Sequence, residues 1–331
     1  MLYELIKSYS SVSVIGMCKN AGKTTVLNRL IADCAAAGDT LGLTSIGRDG
    51  ERSDVVTGTK KPEIYIYSGT VAATAADALP LGDVSTEILD TSGMPTPMGE
   101  IVYVRACSDG LIQLAGPSMT AQLRVIRDRM LGFGADRVII DGALSRKSLA
   151  VPSLSDAAIL CTGASYSRDM AKTVSDTVHA AALMGLDATE RGDIPDDTAK
   201  FTVFAGGSVN CFDTAEDAAD VLRTKGAEAV LIRGGVTDKA AEAFFAAGHA
   251  LRGVEFIAED GSRLLIAPKN YDKLLRVGAR ITVLKKTRLV AVTVNPFSVY
   301  GEHYDSARFL DEVRRALPEE LPVMDVKSEN A

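Results

Sequence analysis

Short, almost wholly apolar runs alternate with amphipathic stretches along most of this 331-residue chain, and that alternation restricts the fold more than any single motif. "SVSVIG" (11–16), "LGLTSIG" (41–47), "EIYIYSG" (63–69), "DRVIIDGA" (136–143) and "DAAILCTGAS" (156–165) read as strands. Between them, residues 22–37 place Val26, Leu27, Leu30, Ile31 and Cys34 at helical spacing, and residues 118–134 and 167–185 carry helical patterns too. A strand without a polar side must be covered on both faces. Strands of that kind between helices build a parallel sheet with helices on each side. The expected fold class is α/β, a doubly wound and mostly parallel sheet.

"LDATERGDIPDDTAK" (186–200) is polar and acidic and breaks the pattern, so it is the best linker. The expected organisation is a first domain over 1–185, a linker over 186–200 and a C-terminal α/β domain over 201–331, whose role no motif reveals. Ser118 is the expected cap of the helix after "LAGPS", and Thr237 the cap of the helix after "LIRGG". "EIVYVRA" (100–106) and "GLIQLAG" (110–116) look like short strands.

Charge narrows the partners. With 36 Lys plus Arg against 43 Asp plus Glu, the net charge of −7 disfavours a nucleic-acid or anionic-membrane surface. The first sixteen residues lack the pattern of a secretory signal, and no apolar run approaches the ~18 residues that span a bilayer. The expected compartment is the cytoplasm. Five scattered cysteines without a C-x-x-C pair read as free buried thiols, and three isolated histidines argue against histidine chemistry.

One stretch carries chemistry. "GMCKNAGKTT" (16–25) joins a strand to a helix and ends in Gly-Lys-Thr. A polyphosphate needs converging backbone amides, a helix start facing the anion, a lysine for the β- and γ-phosphates and a hydroxyl for Mg²⁺. Gly16, Lys19, Asn20, Ala21, Gly22, Lys23, Thr24 and Thr25 are the candidate nucleotide-binding residues, Lys23 the phosphate-binding cation and Thr24 a Mg²⁺ ligand. The usual G-x-x-x-x-G-K-[ST] spacing would put a glycine where Met17 stands, so this loop is one residue longer.

The second half of such a site is a carboxylate at a neighbouring strand end. Asp141 in "RVIIDGALSRKS" is the candidate, holding Mg²⁺ directly or through water. Asp54 in "SIGRDGERSD" is a weaker candidate for orienting metal or water, with Asp49 and Glu51 in the same loop; alternatively the loop is merely solvated. Arg146 and Lys147 could reach the terminal phosphate or lie in an exposed basic loop. No N-K-x-D sequence for guanine occurs, since "KNYDK" (269–273) has another order, so ATP is preferred over GTP.

The extended loop with "DGA" at 141–143 resembles the branch of P-loop proteins that holds dethiobiotin synthetase and the cobyrinate amide synthetases. "KNAGKTT" also resembles the loop of the molybdopterin-guanine dinucleotide accessory GTPase. A longer set of stretches, "GMCKNAGKTTVLN", "TSIGRDGERSDVVTGTKKP", "TPMGEI", "RACSDG", "LAGPS" and "IIDGALSRKSLA", is similar to the accessory subunits of lysine 5,6-aminomutase reactivase. That resemblance implies a protein that uses nucleotide energy, with an ATPase partner subunit, to restore an aminomutase whose adenosylcobalamin is damaged. Composition and spacing by themselves reveal neither a corrinoid nor an aminomutase. The expectation is a Mg-nucleotide-binding and hydrolysing accessory protein, with Lys23, Asp141 and Asp54 as its catalytic residues. Two alternatives remain open: an ATP-dependent synthetase of the dethiobiotin type, and a non-catalytic nucleotide sensor.

Overall fold

The structure, a computed structural model, describes residues 2–47, 63–144, 154–196 and 198–327. The described chain opens with helix α1 (Leu2–Ile6), strand β1 (Ser11–Gly16), helix α2 (Lys23–Ala37) and strand β2 (Leu41–Ser45). Five strands follow: β3 (Ile64–Ile66), β4 (Val71–Ala75), β5 (Thr86–Thr96), β6 (Gly99–Ala106) and β7 (Gly110–Ile112). Next come α3 (Thr120–Gly132), β8 (Arg137–Leu144), β9 (Ala157–Gly163) and α4 (Met170–Met184). The hairpin β10 (Phe201–Ala205) and β11 (Ser208–Phe212) leads to α5 (Ala215–Lys225), β12 (Ala229–Ile232), β13 (Val236–Thr237) and α6 (Asp238–Phe245). Then follow β14 (Glu255–Ala258), β15 (Leu264–Leu265), α7 (Pro268–Arg276) and β16 (Arg280–Val283). Strand β17 (Leu289–Asn295), α8 (Ser306–Ala316) and β18 (Val323–Met324) complete it.

The described residues form two compact units, one of residues 2–47, 63–144, 154–178 and 288–327, the other of 179–196 and 198–287. The boundary expected at residue 186–200 is therefore corrected twice. Residues 288–327 belong to the first unit, because β17 pairs in parallel with β9, which aligns Cys161 with Thr293 and Gly163 with Asn295. The segment 186–196 is no free linker: Thr189 N–H donates to Val283 O, Val283 N–H donates to Asp187 O, and Arg191 stacks over Phe204 at 4.4 Å. It belongs to the second unit, where Ile194 packs on Phe204, Ala229, Leu231 and Ile257.

The first unit holds a nine-stranded sheet in the order β18-β17-β9-β1-β8-β2-β4-β6-β5. From β18 to β4 every neighbouring pair is parallel; β6 and β5 add an antiparallel edge. β1, β2, β4 and β9 are buried along their whole length, as their apolar runs require. Alternation sends Val12, Val14, Ile139 and Ile159 to the face covered by α2 through Val26, Leu27, Leu30 and Ile31. Thr162, one residue on from Cys161, points the other way and its Oγ1 lies 2.7 Å from Thr177 Oγ1 of α4. Helices thus flank both faces, and the mixed α/β class with a large, mostly parallel sheet holds.

The second unit carries a five-stranded sheet, β11-β10-β12-β14-β16, in which β12, β14 and β16 are parallel. Phe201, Val203, Val230, Ile232, Phe256 and Val283 face α5, α6 and α7, where Phe244 makes edge contacts with Phe201 and Phe256. Thr237 caps α6 as expected, accepting from Ala240 N–H. Ser118 does not cap α3: the helix starts beyond Met119 without a side-chain cap, and the Ser118 hydroxyl instead lies beside Gly47. All five cysteines are free, but only Cys34 and Cys161 are buried; Cys18 is half-buried, and Cys107 and Cys211 are exposed.

Candidate functional site

Strand β1 stops at Gly16, yet its pairing continues one residue further, where Met17 N–H donates to Cys161 O at 2.8 Å. The chain then turns through Cys18, Lys19, Asn20 and Ala21 before α2 begins. Asn20 has φ 60°, the one positive value among the described non-glycine residues, and Gly22 follows at φ 95°. Asparagine tolerates the left-handed region better than other L-residues because its short amide bonds locally. Its carbonyl is held from outside the loop: Asn295 Nδ2, at the end of β17, donates to Asn20 O at 3.0 Å. A Cβ on Gly22 would lie 3.2 Å from Asn295 Cβ, so the same residue fits closely against both left-handed positions. Asn20 Nδ2 is sealed from solvent and has no hydrogen-bond partner among the described residues. Leaving such a donor unmet costs about 1–3 kcal/mol.

The first turn of α2 is open in the same direction. Its N-cap is Gly22, which has no side chain to offer, so no cap occupies the amides of Lys23, Thr24 and Thr25. Three other helix starts are closed, where Thr214, Thr237 and Asp305 accept from Asp217, Ala240 and Arg308 N–H, whereas α3 and α7, like α2, carry no side-chain cap. Lys23 adds a cation to the positive end of the helix dipole. Its side chain folds back over Gly16, where a Cβ would stand 2.7 Å from Nζ, and Nζ donates to Cys18 O at 3.4 Å. Thr25 lines a recess with Asn295, Asp325 and Lys327 beside the loop.

Strand β8 lies directly against β1, pairing Val14 with Asp141 before a register shift that leaves Gly16 opposite Leu144. Gly142 permits the close approach, since a Cβ there would be 2.6 Å from Val14 O. Asp141 is buried, its carbonyl accepts from Ile46 N–H, and alternation from Ile139 puts its side chain on the α2 face. Cys161, level with Gly16 on β9, senses both partners. Burial pushes its thiol up to about 11; a bond to Thr293 and the Lys23 charge pull downward, and the Asp141 charge pushes upward. Burial likewise raises the Cys18 thiol to about 11 against the pull of Lys23.

The structure thus gathers Gly16, Asn20, Ala21, Gly22, Lys23, Thr24 and Thr25 at one turn, with Lys19 in the same loop and Asp141 on the adjoining strand. Asp54, with Asp49 and Glu51, lies outside the described residues, as do Arg146 and Lys147. The flank of that acidic loop is moored: Gly47 N–H donates to Pro117 O and Gly116 N–H to Ser45 Oγ. Sequence reasoning missed Asn295. The available signal was its place, the last residue of an apolar strand before a proline, at the sheet edge where the loop also sits.

No protein-family model, curated protein or solved structure matches this chain. What stands is the class, a mixed α/β protein built on a large, mostly parallel sheet. Among the described residues no helix is long and apolar enough to cross a membrane, and no three His, Cys, Asp or Glu side chains cluster for a metal. A Mg²⁺ ion shared with phosphate oxygens needs fewer protein ligands than that, and one hydroxyl plus one carboxylate suit it.

Proposed function

We propose that the turn at 16–25 binds the polyphosphate of a magnesium nucleotide, ATP in preference to GTP, and that the protein hydrolyses it as an accessory to a metabolic enzyme. The observation that carries this reading is the uncapped start of α2, with a lysine folded over Gly16 and left-handed backbone at Asn20 and Gly22. An anion meets free amides, a helix dipole and an ammonium there, the three things it needs. The missing Cβ atoms at Gly16 and Gly22 make room for Lys23 and Asn295 against the turn, which supports a backbone free to face an anion.

In this reading Lys23 leaves Cys18 O for the β- and γ-phosphates and offsets the charge that develops on them. Thr24 and Asp141 would hold Mg²⁺, and the ion would supply charge neutralisation for the phosphate. Asn295 keeps the turn in shape. The similarity of several stretches to aminomutase reactivase accessory subunits supports a protein partner, an aminomutase or a second ATPase subunit, as the recipient of the nucleotide energy.

Calorimetric titration with ATP and Mg²⁺ tests the site. Lys23→Ala is expected to abolish measurable binding while leaving the thermal unfolding of the apo protein unchanged. Equal ATP affinity in the variant and the parent chain would overturn the reading.

A further inference from the structure

The main-chain amides of the turn explain why an anion binds but leave one group unused. Asn20 spends its carbonyl on Asn295 and adopts left-handed backbone, yet its Nδ2 is buried and bonds to nothing among the described residues. A glycine there would meet the same backbone demand more cheaply and bury no amide. The side chain therefore answers to something other than the shape of the turn. In the present arrangement Lys23 closes the turn, lying across Gly16 with its Nζ at Cys18 O.

Resting on the nucleotide reading above, we infer that the Asn20 carboxamide is a donor to the terminal phosphate and makes the site select a nucleoside triphosphate over a diphosphate. The amides of Lys23, Thr24 and Thr25 open the helix and take the phosphate at its mouth. Asn20 stands three residues upstream of Lys23 in the same turn, and its carboxamide takes the phosphate beyond those amides. Arrival of that phosphate draws Lys23 off Cys18 O and gives Nδ2 an anionic acceptor. The ligand class is a triphosphate; the base plays no part in the contact.

The test is calorimetry with a non-hydrolysable ATP analogue and with ADP, both with Mg²⁺, on the full chain and on Asn20→Gly. Glycine keeps the left-handed backbone and removes only the carboxamide. Asn20→Gly is expected to weaken analogue binding by about 10- to 100-fold, the worth of a hydrogen bond to a charged group, to leave ADP affinity unchanged, and not to lower the apo melting temperature, since the unmet buried donor is gone. Asn20→Asp, which puts a carboxylate against the phosphate, should weaken the analogue further. Analogue affinity unchanged in Asn20→Gly, or both ligands weakened equally, overturns the role of Asn20 while the nucleotide reading stands. If Asn20→Gly fails to fold, Asn20→Asp decides, and parent-like analogue binding by it overturns the role. Should the parent chain and Lys23→Ala both fail to bind either ligand, the nucleotide reading falls, and this inference with it.

Discussion

A methyl group on residue 16 would stand 2.7 Å from the Lys23 ammonium and 3.0 Å from its Cδ, whereas one on residue 116 would stand 1.6 Å from the Ser45 carbonyl. The two glycines look alike in sequence and answer to different neighbours. The obstacle at Gly16 is the far end of a flexible side chain, which moves. Gly16→Ala is expected to fold normally and to bind ATP about tenfold more weakly, because the lysine is displaced from the turn; calorimetry beside a thermal melt checks both halves. The obstacle at Gly116 is backbone. Gly116→Ala is expected to lose about 3 kcal/mol of stability, read as a fall in the urea midpoint, and to release the bonds that moor Ser45 and Gly47. A midpoint equal to the parent's would mean that the 113–117 segment gives way freely.

Between elements, the starts of β1 and β9 are joined by a small polar knot. The Asp156 carboxylate accepts from Ser10 Oγ, Ser11 N–H and Ser11 Oγ at 2.8–2.9 Å, and Asp156 N–H returns a bond to Ser11 Oγ. Burial works to raise this carboxyl, but the serine donors outweigh it and hold it below the ordinary carboxylate range. A depressed folded value contributes stability above the unfolded value, about 3.9, and loses it as the pH falls through the folded one. Asp156→Asn should therefore be less stable than the parent at neutral pH, with the gap closing below about pH 4. Urea midpoints measured across that range check it; a gap independent of pH would show that the charge is immaterial.

Elements with a strong local pattern were legible in the sequence: β1, α2, β8, β9 and β17 carry their own apolar signature. Strand β5 was not, because Gly93 and Pro95 interrupt its alternation and its edge position leaves none of it buried. Nor was β11, although Gly206 and Gly207, both at positive φ, mark a tight hairpin. The candidate site was legible to the extent that it is local, from Gly16 to Thr25. Asp141 was found because its strand is apolar and ends in a carboxylate. Asn295 was hidden because its partner, Asn20, is 275 residues away, and contacts at that distance leave no local trace.

At the scale of the molecule, residues 179–287 interrupt the unit that carries the turn at 16–25. The inserted unit has its own core, from Phe201 and Val203 through Phe244 to Val283, and its own sheet. A protein of residues 179–287 alone is expected to unfold cooperatively in a thermal scan. A gradual, non-cooperative loss of signal would show that its core needs the rest of the chain.

The late bracing of the turn has a consequence during synthesis. Asn295 leaves the ribosome 275 residues after Asn20, so through that interval the nascent chain carries "GMCKNAGKTT" without its outside support. The inserted unit completes first, and only the arrival of β17 lets the unfinished sheet shut and the turn set. The turn thus takes its braced form only after the stretch between the two asparagines has been translated.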